Sequence, residues 1–573
     1  MIQTSLSACQ TSELPPILSE EYSDIIFRYQ TIPEELQREL EPYFPQIINE
    51  QYSILHAPLS DHLATMEEIG YSSIPKLYTF IDTVSLEASG ITAAQVQPYL
   101  NLTGKGVLIG FLDSGIDYTH PAFRNPDGTT RILRIWDQSD QSGTPPDQLT
   151  YGTEYTVEDI NRALFSADPF SVVRQQDPLG HGTAVAGIAC GSPDPTAGFS
   201  GAAFDSNILF VRLKAAKQYL RDYFLIPGDA VAFQETDLML GIRYMLGVSR
   251  MLRMPLVICI SLGTNQGAHT GNTPFEDVLT SAQFNTGVYA VTGTGNEVGM
   301  GHHFHGRLGS VESSEEVEIL VDQETRGFTL EFWADAPELY SLGITSPLGE
   351  TIQPIQPRVE TSLEFNFLLE NSRVFLTYSV IEMLSGSQLA LLRFSRPTPG
   401  VWRIRVVNKN FTNGVFHMWL PITGLVDPLI RFYAPNSDTT LVIPSCAASV
   451  ITASTYNAFD NSLFINSGRG FTRNGLIKPD FASPGVDVTA PSPGGRYTSM
   501  TGSCAASALT AGATALFAES GIRQEVPRYF TANEIKSLFL RGTKRSSSIL
   551  YPNREWGYGT MNVYGTFESF LRS

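Results

Sequence analysis

Three short stretches rich in small residues each carry a side chain able to take part in acyl transfer. "GFLDSGID" sets Asp113 at the end of an apolar run, just before a Ser-Gly turn. "DPLGHGTAVAGIACG" sets His181 between Gly180 and Gly182 at the head of a small-residue helix, where glycines let neighbouring backbone approach closely. "TSMTGSCAASALTAG" sets Ser503 and Cys504 at the head of another. A carboxylate orients an imidazole, and the imidazole deprotonates a hydroxyl or thiol: this is the set that acyl transfer requires. Each motif alone has a plainer reading, since Asp before Gly is a common turn residue and His in a Gly-rich turn is commonly structural. In the order Asp, His, nucleophile they read as one site.

Such a site needs a scaffold. Short apolar runs ("VLIGFLD", "NILFVRL", "PLVICISLG", "GVYAVTGTG") alternate with helical stretches such as "TDLMLGIRYMLGVSRML" and "PFEDVLTSAQFN". Continuous apolar runs read as strands buried on both faces, so the expected fold is α/β, a parallel sheet with helices on both faces. Between 306 and 430 the texture turns to alternating strands separated by Gly, Pro, Asn and Asp, which predicts an inserted β-sandwich or jelly-roll domain. The α/β texture then resumes over 431–573, completing the catalytic domain begun at 91–305. Residues 1–90 read as a small α/β unit, with strands at "DIIFRYQ" and "QIINEQYSILHAP" and helices at "IPEELQRELEPYF" and "SDHLATMEEIG". Such a unit fits an appended domain or a prodomain.

These motifs, in this order, resemble the subtilisin-like serine proteases (peptidase family S8). "DSGID…HPAF" is similar to that family's aspartate motif and "GHGTAVAGI" to its histidine motif. The resemblance implies that Ser261, Leu262 and Gly263 ("SLG") form the strand edge that binds substrate backbone. It makes Gly293 and Gly295 part of the pocket before the cut, and Asn296 in "GTGNE" the donor to the developing oxyanion. More narrowly, the chain resembles the clostridial spore-germination subtilases of the Csp type. The carriers are "IPKLYTFIDT…SLEASGI", the "RILRIWDQSD" segment between Asp113 and His181, "GHHFHG", and a β insertion ahead of the nucleophile. The resemblance implies a self-processing zymogen whose foldase-inhibitor prodomain stays in the cleft, a protein or peptide substrate, and cytoplasmic or spore-associated localisation in a bacterium. "LYTFIDT" is extended and apolar enough to lie in a cleft as an added strand, with the cut expected between about Thr83 and Ala93.

The family's nucleophile pattern is Gly-Thr-Ser-Met-Ala-Ser-Pro-x-x-Ala-Gly. Laid without a gap on Gly502 to Gly512, it sets Ser503 on the family's threonine, Cys504 on its nucleophile and Ala508 on its proline. Making Ser503 the nucleophile takes a one-residue slip, about 100° around the helix. A thiol beside a histidine at a helix N-terminus is a strong nucleophile. Sulfur is larger than oxygen, however, and leaves more readily than an amine. A serine-shaped pocket carrying Cys504 is therefore expected to cut amides slowly. Two readings from other classes stay open: a pseudoprotease that binds a partner through the groove, and a carbohydrate- or wall-binding protein that uses the β insertion.

The composition narrows the field. The chain has 573 residues, 42% hydrophobic and 17% charged, with a net charge of −20 and no Lys/Arg run, which argues against a nucleic-acid partner. No run reaches the ~18 apolar residues of a membrane span, and the N-terminus lacks a basic start and an apolar core of a signal peptide. Cys9, Cys190, Cys259 and Cys446 read as buried free thiols, without CxxC spacing for zinc. His302, His303 and His305 invite a metal reading but lack a matching further ligand, and "GSPDPTAGFSG" lacks an Asn-rich calcium loop, so no cofactor is expected.

Overall fold

The computed structural model describes residues 14–29, 40–59, 70–80, 89, 91–96 and 100–571. Eight strands make the central sheet: β1 (Leu108–Asp113), β2 (Ile132–Asp137), β3 (Thr153–Thr156), β4 (Asn207–Arg212), β5 (Leu256–Ile260), β6 (Val288–Gly293), β7 (Ile451–Tyr456) and β8 (Phe481–Pro484). They lie in the order β8-β7-β6-β5-β1-β4-β2-β3. All neighbours run parallel except β3, which closes one edge antiparallel to β2. Every residue of β1, β5 and β6 is buried, as two-sided helix cover requires. Successive side chains feed opposite cores. Ile109 and Phe111 join the one that holds α1 (His181–Cys190) and α4 (Ser503–Ile522), while Leu108 and Leu112 join the one that holds α2 (Glu235–Leu252) and α3 (Pro274–Ala282).

Between β6 and β7 the chain builds antiparallel sheets of six and five strands, the first at His303–Arg307 and the last at Ile430–Phe432. Ser314–Val321 shows why. Its burial alternates residue by residue, with Val317, Ile319 and Val321 inward, the period-two pattern of a strand with one face in a core. Phe332, Leu342, Leu392 and Trp402 from both sheets share that core. No helix occurs among the described residues 303–432. The insertion leaves and returns at one place: Leu420 N–H donates to His302 O and Phe432 N–H to Gly301 O, both at 2.9 Å.

The N-terminal unit shows a three-stranded antiparallel sheet, Tyr22–Arg28 against Tyr52–Pro58 against Gln46–Ile47. Its two expected helices fall at 32–44 and 60–70, of which only 40–44 and Gly70 are described. The unit docks on the core through a fully buried polar knot. Asp24, 0% exposed, takes contacts from His56 Nδ1 at 2.6 Å, Lys217 Nζ at 2.9 Å and Gln234 Nε2 at 2.6 Å. Beyond it, Leu77–Phe80 runs as a strand between two edges of the core. Leu77 and Tyr78 lie antiparallel opposite Gln234 and Phe233, and Thr79 and Phe80 opposite Gly263 and Leu262.

Candidate active site

Parallel strands and their helices bring the three expected side chains to one end of the sheet. Asp113 is the last residue of β1, His181 the first of α1 and Cys504 the second of α4. Both helices start from a glycine with positive φ, Gly180 at 76° and Gly502 at 132°, a backbone state that other residues seldom adopt.

His181 Nδ1 lies 2.8 and 2.9 Å from the two Asp113 carboxylate oxygens, and its Nε2 lies 3.1 Å from Cys504 Sγ. A carboxylate only accepts, so Nδ1 carries the proton and Nε2 is the basic end facing sulfur. Cys504 Sγ also lies 3.3 Å from Ser261 O. Asp113 is fixed in turn by Ser114 N–H at 2.7 Å and by Ser261 Oγ at 3.1 Å. Ser503 Oγ faces elsewhere, 2.8 Å from Gly295 O and 3.1 Å from Asn296 Oδ1. Asn296 Oδ1 also accepts from Ser503 N–H at 3.2 Å, which orients the amide with its Nδ2 end as the donor.

Ser261, Leu262, Gly263, Gly293 and Gly295 are all buried. Leu262 and Gly263 carry the strand Leu77–Phe80 on their edge. Gly293 is small for a local reason: a Cβ there would meet Ser503 O at 2.5 Å, so this glycine sits directly against the start of α4. Val442 fills the space between Gly263 and Gly295, 2.5 and 2.4 Å from where their Cβ atoms would be.

Two contributors escaped the sequence reading. Val442 lies far along the chain in an ordinary apolar run and gave no signal. Asp177 did: it stands four residues ahead of His181 in the same string. Its Oδ2 accepts from Thr183 N–H at 2.9 Å, and its Oδ1 accepts from Gly180 N–H at 3.0 Å and Ser114 Oγ–H at 2.7 Å. It thus holds both the first turn of α1 and the residue beside Asp113, and burial pushes its carboxyl up from the usual range.

Burial pushes the Cys190 thiol up to about 12 and is the main cause that raises Cys259 and Cys446 well above the ordinary range. Cys504 is equally buried, at 0% exposure, but is the one beside an imidazole. The histidines after Asn296 do not converge on a point. His302 Nδ1 pairs with Glu297 at 2.7 Å, and His303 Nε2 meets His417 Nδ1 at 3.0 Å. Trp419 stacks between His269 and His303, with centroids 4.1 and 4.8 Å away. Among the described residues no three His, Cys, Asp or Glu side chains gather as a metal set, and no helix is long and apolar enough to cross a membrane.

Comparison with known proteins bears on the family and the fold. The model of the "Subtilase family" (Peptidase S8) matches residues 104–319 and 417–559. A subtilisin-like protease, SBT2.2, of Arabidopsis thaliana is 33% identical over 117 residues, 18% of this chain and 13% of that protein, so the match spans about an eighth of that relative's length. The structure of the Clostridium perfringens CspB protease superposes with a TM-score of 0.75 at 30% identity, over 85% of this chain and 98% of that one.

Proposed function

We propose that this chain, which belongs to the subtilase family, is an endopeptidase made as a self-processing zymogen, with Cys504 as its nucleophile. The observation that carries the reading is the single imidazole held by Asp113 on one nitrogen and facing Cys504 Sγ at 3.1 Å on the other. In this mechanism Cys504 Sγ attacks the scissile carbonyl carbon while His181 Nε2 takes the thiol proton. Asn296 Nδ2 donates to the oxyanion. His181 returns the proton to the departing amine, leaving a thioester, and then deprotonates the water that releases the acid and regenerates the thiol.

The strand Leu77–Phe80 supports self-processing, because it lies where substrate backbone would bind by edge-strand addition. Its register supports a cut close to Phe80. Phe80 stands opposite Leu262, so counting along the sequence makes Ile81 the residue due at Ser261, whose carbonyl touches Cys504 Sγ. We therefore propose Ile81–Asp82 as the processed bond. The stretch expected from sequence, Thr83 to Ala93, lies mostly outside the described residues. The Csp-type resemblance implies a precursor protein of spore germination as the physiological substrate.

N-terminal sequencing of purified wild type and Cys504→Ser tests this. A new terminus at Asp82, produced faster in the serine variant and absent in Cys504→Ala, is the expected result. Processing that survives in Cys504→Ala overturns the assignment of the nucleophile. The burial of Cys504 under an occupied cleft favours one alternative, a pseudoprotease that binds through its groove; an unprocessed Cys504→Ser chain that cleaves no peptide would select it.

A further inference from the structure

Just before the strand in the cleft, a lysine is buried where lysines are rarely found. Lys76 is 1% exposed. Its ammonium donates to the carbonyls of Tyr71 at 2.8 Å and Ile74 at 2.5 Å, and sits 4.1 Å above the Tyr71 ring. Around it stand three buried carboxylates, each at longer range than an ion-pair contact. Glu235, at the head of α2, accepts from the backbone N–H of Lys76 at 2.9 Å. Glu331 and Glu382 come from the β insertion, and all three are under 6% exposed. Glu331 is pinned by Gly267 N–H at 2.9 Å, Trp333 Nε1–H at 3.0 Å and the Tyr71 hydroxyl. Glu382 accepts from Ser385 N–H and Oγ–H, both at 2.8 Å. The corner is well filled: the cavity left beside Lys76 is about 20 Å³, room for roughly one water.

The electrostatics make demands on whatever occupies this corner. Burial pushes the Glu235 and Glu331 carboxyls up, and Lys76 is the cation that pulls both back down. Burial correspondingly lowers the Lys76 ammonium, which all three glutamates raise again. Withdraw that cation and the carboxylates of Glu235 and Glu331 stay buried with hydrogen bonds but without it, a costly arrangement in a low-dielectric site.

We propose that Glu235, Glu331 and Glu382 form a recognition subsite for a lysine side chain at the sixth residue before the cleaved bond, so that the β insertion takes part in substrate selection. The count rests on reading Leu77–Phe80 as a bound product strand. A substrate of the processed enzyme would accordingly carry lysine, two apolar or aromatic residues that fill the places of Leu77 and Tyr78, and then the residues leading to the cut. Acidic or apolar residues in the Lys76 place would be disfavoured.

Two measurements test the subsite. In the full chain, hydrogen exchange of the Leu77–Phe80 amides reports how firmly the strand is held, independently of any catalysis. Lys76→Met should speed that exchange at least tenfold, and adding Glu331→Gln should recover at least threefold of it, since one uncompensated charge is then gone. Unchanged exchange in Lys76→Met, or no recovery in the double variant, overturns the proposal. In processed Cys504→Ser that also carries Asp24→Asn, so that the cleaved N-terminal unit can be separated from the cleft, a chromogenic peptide Lys-Leu-Tyr-Thr-Phe-Ile should exceed its Met-Leu-Tyr-Thr-Phe-Ile counterpart at least tenfold in kcat/KM, mostly through KM. Equal turnover of the two rejects the subsite and leaves the peptidase standing. No turnover of either counts against the peptidase, and the exchange measurement then decides the subsite by itself.

Discussion

Replacing Asp24 by asparagine should loosen the N-terminal unit from the core without altering Asp113, His181 or Cys504. Among the described residues Asp24 is the only anion touching Lys217 within the buried knot, at 2.9 Å, and both side chains are at most 2% exposed. The amide keeps the shape but removes the charge. Lys217 is then left with the carbonyls of Pro16 at 2.9 Å and Tyr22 at 3.1 Å. Breaking one side of a buried pair costs about 3–5 kcal/mol. The two remaining carbonyls argue for the low end, roughly two orders of magnitude in the docking equilibrium at tenfold per 1.4 kcal/mol. The assay is cleavage of the N-terminal unit by added trypsin, whose rate follows the population of the open form when closing is fast. Lys217→Met in the Asp24→Asn background should restore much of the protection, because a pair replaced on both sides is far cheaper than one left half-empty.

The same carboxylate fixes the pH dependence. Burial alone would raise it, but Lys217 and His56 together hold Asp24 far below the usual carboxylate range. A depressed folded-state value means that the stabilisation is fully present above the ordinary carboxylate value, near 4, and is lost only as pH falls towards the depressed one. Protection should therefore be flat from pH 7 to about pH 4 and fail below. Trypsin susceptibility within threefold of wild type in Asp24→Asn, or a loss of protection already between pH 7 and 5, would refute the reasoning.

The thiol itself offers a sharper contrast between leaving groups. Cys504→Ser should raise amide cleavage by on the order of 10²–10³-fold, by analogy with the restoration of one oxyanion donor, while esters change much less; a paired ester and amide assay reads both. Asn296→Ala in that serine background should lower kcat by about 10²–10³-fold with KM little changed. Gly293→Ala should abolish turnover in either background, since its Cβ would displace Ser503 O from 2.5 Å, and a crystal structure should show the start of α4 shifted. Iodoacetamide should label Cys504 ahead of Cys190, Cys259 and Cys446, whose thiols burial holds protonated. Because Cys504 is itself fully buried, labelling should be slow in the full chain and quicken in Asp24→Asn; mass spectrometry of the peptides gives the order.

Much of this was legible because the chemistry sits at points where the chain must be irregular. Asp113, His181 and Cys504 each stand beside glycines at the junction of a strand or turn with a helix, and small-residue strings of that kind are conspicuous in a sequence. Several strands of the central sheet were equally plain, since burial on both faces leaves β1, β5 and β6 with hardly a polar residue, whereas β2, β3 and β8 did not stand out as strands. What stayed hidden depends on long-range packing. Nothing in "PLVICISLG" or "LYTFIDT" says that Gly263 pairs with Thr79 and not with a neighbour one residue away, because register is set by contacts between distant segments. Glu331 looks like an ordinary outward residue in "GFTLEFWAD". Its burial follows from Tyr71 and Gly267, which come from two other parts of the chain.

The place of the β insertion also has a consequence in time. Strands β6 and β7 are sheet neighbours, yet the whole insertion is synthesised between them. Asp113 and His181 leave the ribosome early, whereas Cys504 follows Asp113 by about 390 residues. At 5–20 residues per second that gap is on the order of 20–80 s. From His181 onward, over about 320 residues, the nascent chain carries the carboxylate and the imidazole without the Cys504 thiol, and the N-terminal unit has already emerged. The thiol therefore joins its carboxylate and imidazole late, after the strand that lies along Leu262 and Gly263 has been made.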